Sequence, residues 1–325
     1  MHNFQTIGVY GAGAWGLALA LAAHRAGRRV VVVGRDEAAM AGLAASRVSA
    51  KLPTARLPED IVVSASPEAL DVCEALLIVT PAQALSASLD VLGPLAAGKP
   101  LILCAKGIER GTHRFLSDIA AELAPGAPIA CLSGPSFAHD VAAGLPTAVT
   151  LAARDEKLGA ALCHALHGPA LRLYASGDVR GVEIGGAAKN VLAIACGVAD
   201  GLSLGASAKA ALVARGFAEL SRFGEAYGAK PETLMGLSGL GDLVLTCTSP
   251  QSRNFAYGVA LGRGEPTQGR PLAEGVHTAG ALCALAARAG VEMPIAQAVV
   301  DVIEGRTGPT EAVRALLARP SRKEA

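Results

Sequence analysis

The sequence predicts an α/β protein of two domains, a doubly wound, mostly parallel sheet followed by an all-α C-terminal domain. Three observations carry that expectation. Short apolar, β-rich runs alternate with helical stretches through the first half, the pattern of βαβ units. The strand pattern stops near Val179, and later segments read as helices. A length of 325 residues also exceeds the usual single core. The expected boundary lies at Ser176-Gly177-Asp178, giving domains of residues 1–178 and 179–325.

The first predicted strand, Thr6–Tyr10, leads into Gly11-Ala12-Gly13-Ala14-Trp15-Gly16 and an alanine-leucine helix to about Gly27. The second, Arg29–Val33, ends in Gly34-Arg35-Asp36. Apolar runs at Ile61–Val63, Ala75–Val79, Leu101–Cys104, Ile129–Leu132 and Ala148–Leu151 supply the remaining strands. Helical stretches separate most of them, Glu68–Cys73 being the shortest. In the second domain, helices are expected over Val182–Val198, Ala208–Gly228, Pro231–Met235, Asn254–Leu261, Thr278–Ala289, Pro294–Glu304 and Pro309–Leu317. No internal repeat or low-complexity segment interrupts the chain.

Composition narrows the function. Hydrophobic residues make up 51 %, much of it alanine, and aromatics only 3 %, which favours helices packed closely through small side chains. A net charge of +1, with no basic stripe, removes the electrostatic case for a nucleic-acid partner. Apolar runs are broken early, as Leu17–Ala23 is by His24-Arg25, so no membrane span is expected. The start, Met1-His2-Asn3-Phe4-Gln5, lacks a signal-peptide pattern. Seven cysteines without a Cys-x-x-Cys pair read as free thiols in a reducing cytoplasm. No metal site is expected, because His164-x-x-His167 lacks a cysteine or carboxylate framework. The expected partner is a small-molecule substrate, and a homodimer stays open.

The strand ends carry the chemistry. In open α/β sheets ligands bind outside the carboxyl ends of the strands. Here those ends hold the glycine loop, Arg35, Thr80-Pro81, Ala105-Lys106-Gly107 and Ser133-Gly134-Pro135-Ser136-Phe137-Ala138. The Gly-x-Gly-x-x-Gly loop follows a strand and opens a helix, the context of a Rossmann-like dinucleotide site. Gly11 serves the tight turn, Gly13 the approach of a pyrophosphate, and Gly16 close helix–strand packing. Arg35 at the second strand end can grip a 2′-phosphate, so NADPH is favoured; Asp36 leaves NADH open.

Lys189 is the only basic residue between Arg180 and Lys209. On a helix its neighbours are Gly185, Gly186, Leu192 and Ala193, so no local carboxylate can pair with it. Its ammonium either snorkels into water or, held among apolar groups, loses its proton readily or finds a distant anion. The chain has 21 arginines and 8 lysines, and Lys106 and Lys189 are the two lysines in uncharged settings. Asp242, in Gly239-Leu240-Gly241-Asp242-Leu243-Val244-Leu245-Thr246-Cys247-Thr248, is either that anion or a helix cap. Ser252-Arg253-Asn254 at a helix start offers an oxyanion grip or a capped surface helix. Glu274-Gly275 reaches a cofactor or caps the next helix.

Together these segments resemble the bacterial NAD(P)-dependent glycerol-3-phosphate dehydrogenases over nearly the whole chain. The carrying motifs are Gly11–Gly16 with Trp15, Ala105-Lys106-Gly107-Ile108-Glu109, and Ser133–Ala138. They continue with Gly185-Gly186-Ala187-Ala188-Lys189-Asn190, Gly239–Thr248 and Gln251-Ser252-Arg253-Asn254. The resemblance implies reduction of dihydroxyacetone phosphate to sn-glycerol 3-phosphate, the entry to phospholipid synthesis. It implies that Lys189 exchanges a proton with the C2 oxygen, with Asp242 beside it. Lys106 then binds substrate and cofactor; Gly134, Ser136, Asn190, Ser252, Arg253 and Asn254 meet the substrate. Ala14, Trp15, Arg35, Ala138, Arg253, Leu272 and Glu274 match cofactor contacts.

Ser49 and Ser207 stand where the family usually has asparagine, and the stretch from Gly262 to Glu274 is short, with Leu272-Ala273 replacing paired valines. Two other readings share parts of the pattern. A β-hydroxyacid dehydrogenase lacks the Asp242 and Ser252-Arg253-Asn254 clusters. A dinucleotide-sensing module has no use for a lysine–aspartate pair.

Overall fold

The computed structural model describes residues 4–319, so residues 1–3 and 320–325, at the outer ends of the two expected domains and including part of the N-terminal segment read above, lie outside the described residues. Ten strands form first: β1 Thr6–Tyr10, β2 Arg29–Val33, β3 Val48–Ser49, β4 Leu52–Arg56, β5 Val62–Ser64, β6 Ala75–Ile78, β7 Leu101–Leu103, β8 Ile129–Ser133, β9 Thr147–Ala153 and β10 Leu171–Ser176. Helices α1 Ala14–Arg25, α2 Glu37–Ser46, α3 Leu85–Leu92, α4 Leu116–Leu123, α5 Ala138–Ala143 and α6 Glu156–Leu166 lie between them. Eight strands make one sheet in the order β10-β9-β8-β7-β6-β1-β2-β5. All pairs in it are parallel except β8–β9. β1 and β6 to β8 are apolar on both faces because helices cover both, which explains their unbroken apolar runs.

Three features depart from the sequence reading. The edge strand β10 escapes an apolar-run search because exposed Arg172 and Tyr174 alternate with buried Leu171 and Leu173. The antiparallel pair β3–β4, which holds Ser49, is short, polar and outside the main sheet. The helical stretch expected at Glu68–Cys73 is only a 3₁₀ turn over Pro67–Leu70.

Beyond Ser176 the described chain is helical: α7 Val179–Gly201, α8 Gly205–Ala226, α9 Pro231–Leu234, α10 Asp242–Thr248, α11 Arg253–Arg263, α12 Glu274–Arg288, α13 Pro294–Ile303 and α14 Pro309–Leu317. Ser207 is exposed on α8. α7 is the axis of this half. Asp178 caps it by accepting from Gly181 N at 2.8 Å, and its first turn puts Val179 and Val182 into the core beneath the sheet. The rest of α7 lies at the centre of the helical core. It is the one helix among the described residues long and apolar enough to cross a membrane, and it is buried inside the protein.

Helices α7 and α11 cross closely. Gly197 and Gly201 face Gly258 and Gly262, one turn apart on each helix. A Cβ on Gly197 would lie 2.9 Å from Gly258 Cα, and one on Gly262 would lie 3.0 Å from Gly201 Cα. Both added carbons would also strike backbone carbonyls of the partner helix, which cannot swing aside as a side chain can. The spacing of these glycines therefore sets how near the start of α11 comes to the middle of α7. Gly258→Ala is expected to force the helices apart and cost about 1–3 kcal/mol. The measurement is the thermal midpoint of unfolding, which should fall by several degrees, roughly 2–4 °C per kcal/mol for a domain of this size; an unchanged midpoint contradicts the crossing.

Candidate active site

The sheet order sets β2, β1, β6, β7 and β8 side by side, so the loops after them stand in one row along the carboxyl rim. The chain builds outward to β2 and β5 on one side of β1 and to β6 onward on the other. That makes β1/β6 the switch point, where α/β sheets open a crevice. The glycine loop occupies it. Gly11 has φ +119°, and a Cβ there would lie 2.7 Å from the Val79 carbonyl oxygen. A Cβ on Gly16 would collide with the Gly11 carbonyl, whereas one on Gly13 would meet nothing within 4 Å. Gly13 also supplies no side chain to cap α1, so that helix presents its first N–H groups to the crevice. Trp15 Nε1 is buried without a hydrogen-bond partner beside it. These features fit a dinucleotide pyrophosphate.

At the end of β2 the two candidate selectors separate. Asp36 caps α2, its Oδ1 accepting from Ala39 N at 2.9 Å. Arg35 is exposed, and its charge is felt by the Tyr10 hydroxyl on β1.

Toward β7 and β8 the rim meets α7 and α10. A π-helical turn over Leu237–Gly241 runs directly into α10 and delivers Asp242 at its first residue. Asp242 is 1 % exposed, and its two oxygens are divided between two lysines. Lys189 Nζ lies 2.5 Å from Oδ1 and Lys106 Nζ 2.7 Å from Oδ2. Lys106 also donates to the Gly134 carbonyl at 3.1 Å, and Lys189 to Thr246 Oγ1 at 2.9 Å. Gly134 has φ +151°, and a Cβ there would lie 2.8 Å from Val149 Cα, so only glycine can turn its carbonyl to Lys106 this way. Burial lowers the Lys189 pKa from its ordinary value to about 8; Asp242 opposes the shift and Lys106 adds to it. The ammonium is thus held by ion pairing yet binds its proton less tightly than an exposed lysine does.

The remaining predicted residues fall into groups. Asn190 follows Lys189 and donates to the Lys106 carbonyl, and Asn254 donates to Asn190. Ser136 Oγ donates to the Gly134 carbonyl, next to Ala138 at the start of α5. Ser252 caps α11, its Oγ accepting from Phe255 N at 3.2 Å. Arg253, the first residue of α11, is exposed, and Leu272 is exposed before α12. Glu274 is largely buried. Burial raises its carboxyl pKa, opposed by the backbone N–H of Ala82 and by Arg253. It reaches the rim loops, since a Cβ on Gly107 would lie 3.2 Å from its Oε2.

Thr246 is absent from the sequence expectations although its signal was present. It stands four residues after Asp242, so once α10 is a helix both side chains lie on one face. The Gly239–Thr248 run read as a polar cluster, and its helical register was not visible.

Residues 6–159 match the NAD-dependent glycerol-3-phosphate dehydrogenase N-terminal family and residues 178–314 the corresponding C-terminal family. The chain is 58 % identical over its full length to the glycerol-3-phosphate dehydrogenase [NAD(P)+] of a Bradyrhizobium species, covering 100 % of both. It is 56 % identical to that of Methylobacterium radiotolerans, with 98 % of each covered. A crystal structure of glycerol-3-phosphate dehydrogenase from Coxiella burnetii superposes with a TM-score of 0.92 at 38 % identity, covering 97 % of this chain and 99 % of that one. The chain belongs to the NAD-dependent glycerol-3-phosphate dehydrogenase family.

Proposed function

We propose that this chain reduces dihydroxyacetone phosphate to sn-glycerol 3-phosphate, reversibly, with Lys189 giving and recovering the proton on the C2 oxygen. Its product would enter glycerophospholipid synthesis. The observation that supports this best is the sharing of one buried carboxylate by two lysine ammoniums at the rim, next to an uncapped glycine loop. In this reading residues 1–178 hold the cofactor and residues 179–325 complete the substrate site. A nicotinamide dinucleotide supplies the hydride when bound. Gly11, Gly13, Ala14, Trp15 and Gly16 would receive its pyrophosphate half, and Ala138, Leu272 and Glu274 would flank it. The end of β2 is three strand spacings from that of β7, about 14 Å along the rim.

The substrate residues then have separate tasks. Lys106 and Lys189 both oppose negative charge growing on the C2 oxygen, and only Lys189 transfers a proton. Asp242 keeps both ammoniums in place while they wait. Arg253, aided by the first turn of α11, would hold the phosphate, with Ser136, Ser252 and Asn254 completing that end. The free thiols of all seven cysteines suit a reducing, cytoplasmic setting.

NADPH is the preferred reductant in this reading, because the Asp36 carboxylate is engaged as a helix cap and Arg35 is exposed. Arg35→Ala should raise the KM for NADPH by about 10-fold or more and leave that for NADH nearly unchanged. Equal effects on both cofactors would remove Arg35 from this role.

Lys189→Ala should lower the kcat of reduction by at least about 100-fold while NADPH binding, followed by fluorescence, stays near normal. Turnover close to that of the parent enzyme would sink the assignment. In the unaltered enzyme, reduction needs Lys189 protonated and oxidation needs it neutral. The reduction rate should therefore fall as pH rises through about 8, and the oxidation rate should rise over the same interval. Profiles that move in the same direction contradict the scheme. Finally, dihydroxyacetone phosphate should be reduced far faster than plain dihydroxyacetone in an NADPH absorbance assay; equal rates refute the phosphate grip.

A further inference from the structure

Two side-chain amides form a one-way chain across the seam between the halves. Gly275 N at the start of α12 donates to Asn254 Oδ1, Asn254 Nδ2 donates to Asn190 Oδ1, and Asn190 Nδ2 donates to the Lys106 carbonyl, each at 2.9 Å. Asn190 is 5 % exposed and Asn254 8 %. A backbone N–H closes one end and a carbonyl the other. Neither amide can flip without setting donor against donor or acceptor against acceptor. The chain joins α12, α11 and α7 of the helical half to the β7 loop of the sheet half.

The surroundings leave little slack. A Cβ on Gly275 would lie 2.5 Å from the Asn190 carbonyl oxygen, so α12 rests directly on α7. Gly258, one turn after Asn254, is in the tight crossing with α7. At the far end, the Lys106 side chain is stretched between Asp242 Oδ2 and the Gly134 carbonyl. Displacing the Lys106 backbone therefore shifts its ammonium against Asp242, the carboxylate that also holds Lys189.

We propose that Asn190 and Asn254 are positioning residues: the amide relay Gly275–Asn254–Asn190–Lys106 holds the Lys106 loop in register with Asp242 and Lys189. This rests on the reading of those three groups as the reacting site. It differs from a pure ligand role, because Asn254 spends its oxygen and one of its two amide hydrogens on the relay.

The test is Asn190→Leu, Asn254→Leu and the double variant, assayed for dihydroxyacetone phosphate reduction, with Lys189→Ala in parallel. A displaced Lys106 should lower kcat by about 10- to 100-fold. For Asn190→Leu KM should change by less than about 3-fold, and the double variant should have a kcat no lower than about that of the slower single one, as coupled sites require. A raised KM at unchanged kcat, or losses that multiply in the double variant, overturns the relay. For the case in which a variant fails to fold, the side-chain amide protons of Asn190 and Asn254 in the unaltered enzyme are followed by NMR. The relay requires them to exchange with solvent much more slowly than exposed amides; fast exchange overturns it. An active Lys189→Ala enzyme would remove Lys189 from the chemistry, and the coupling between the two asparagines would still be measured independently.

Discussion

Asp242 is the constraint on which the site depends. Two ammoniums and one carboxylate, nearly all out of water, leave a net positive charge among apolar helices. Such a cluster is expensive unless every charge is hydrogen-bonded, and removing one partner strands the others. The two lysines differ in how they are kept. Lys106 has a second acceptor in the Gly134 carbonyl, and its side chain is 15 % exposed; Lys189 has only a threonine hydroxyl and is 8 % exposed. Deep burial loosens the proton on Lys189, and the Asp242 carboxylate opposes its loss.

Keeping that cluster intact demands a rigid seam. Lys106 and Gly134 come from the sheet, Lys189 from α7, and Asp242 and Thr246 from α10 after a π-helical turn. Small residues make the approach feasible: a Cβ on Gly185 would lie 2.6 Å from the Ser238 carbonyl oxygen, and one on Gly186 2.8 Å from Ser133 Oγ. The glycine pairs of α7 and α11 do the same roughly three to four turns further along α7. The alanine- and glycine-rich composition therefore has a specific use. It brings backbones together so that short polar side chains can reach across from one segment to another.

Much of this was legible in order along the chain. The βαβ alternation, the glycine loop after β1, and the strand-end positions of Arg35, Lys106 and Gly134 follow from local periodicity and turn chemistry. The absence of any carboxylate near Lys189 on its own helix also pointed to a distant partner. Less visible were elements whose signal is weak or mixed. The edge strand β10 alternates buried and exposed residues, and α10 hides its register behind a glycine-rich turn. The glycine pairs at 197/201 and 258/262 carry no meaning until two helices are known to cross.

The sequence by itself determined the fold class, the family resemblance and which residue types can do chemistry, because these depend on neighbours within a few positions. Tertiary structure decided that the candidate Asp242 is the anion Lys189 meets, that the same carboxylate is shared with Lys106, and that Thr246 belongs beside them. It also turned Asn190 and Asn254 from separate polar residues into consecutive links of one hydrogen-bonded chain. The physical reason is range. Secondary structure is written in spacings of two to four residues, whereas the pairs that govern proton affinity here are 53 and 136 residues apart, from Lys189 and from Lys106 to Asp242.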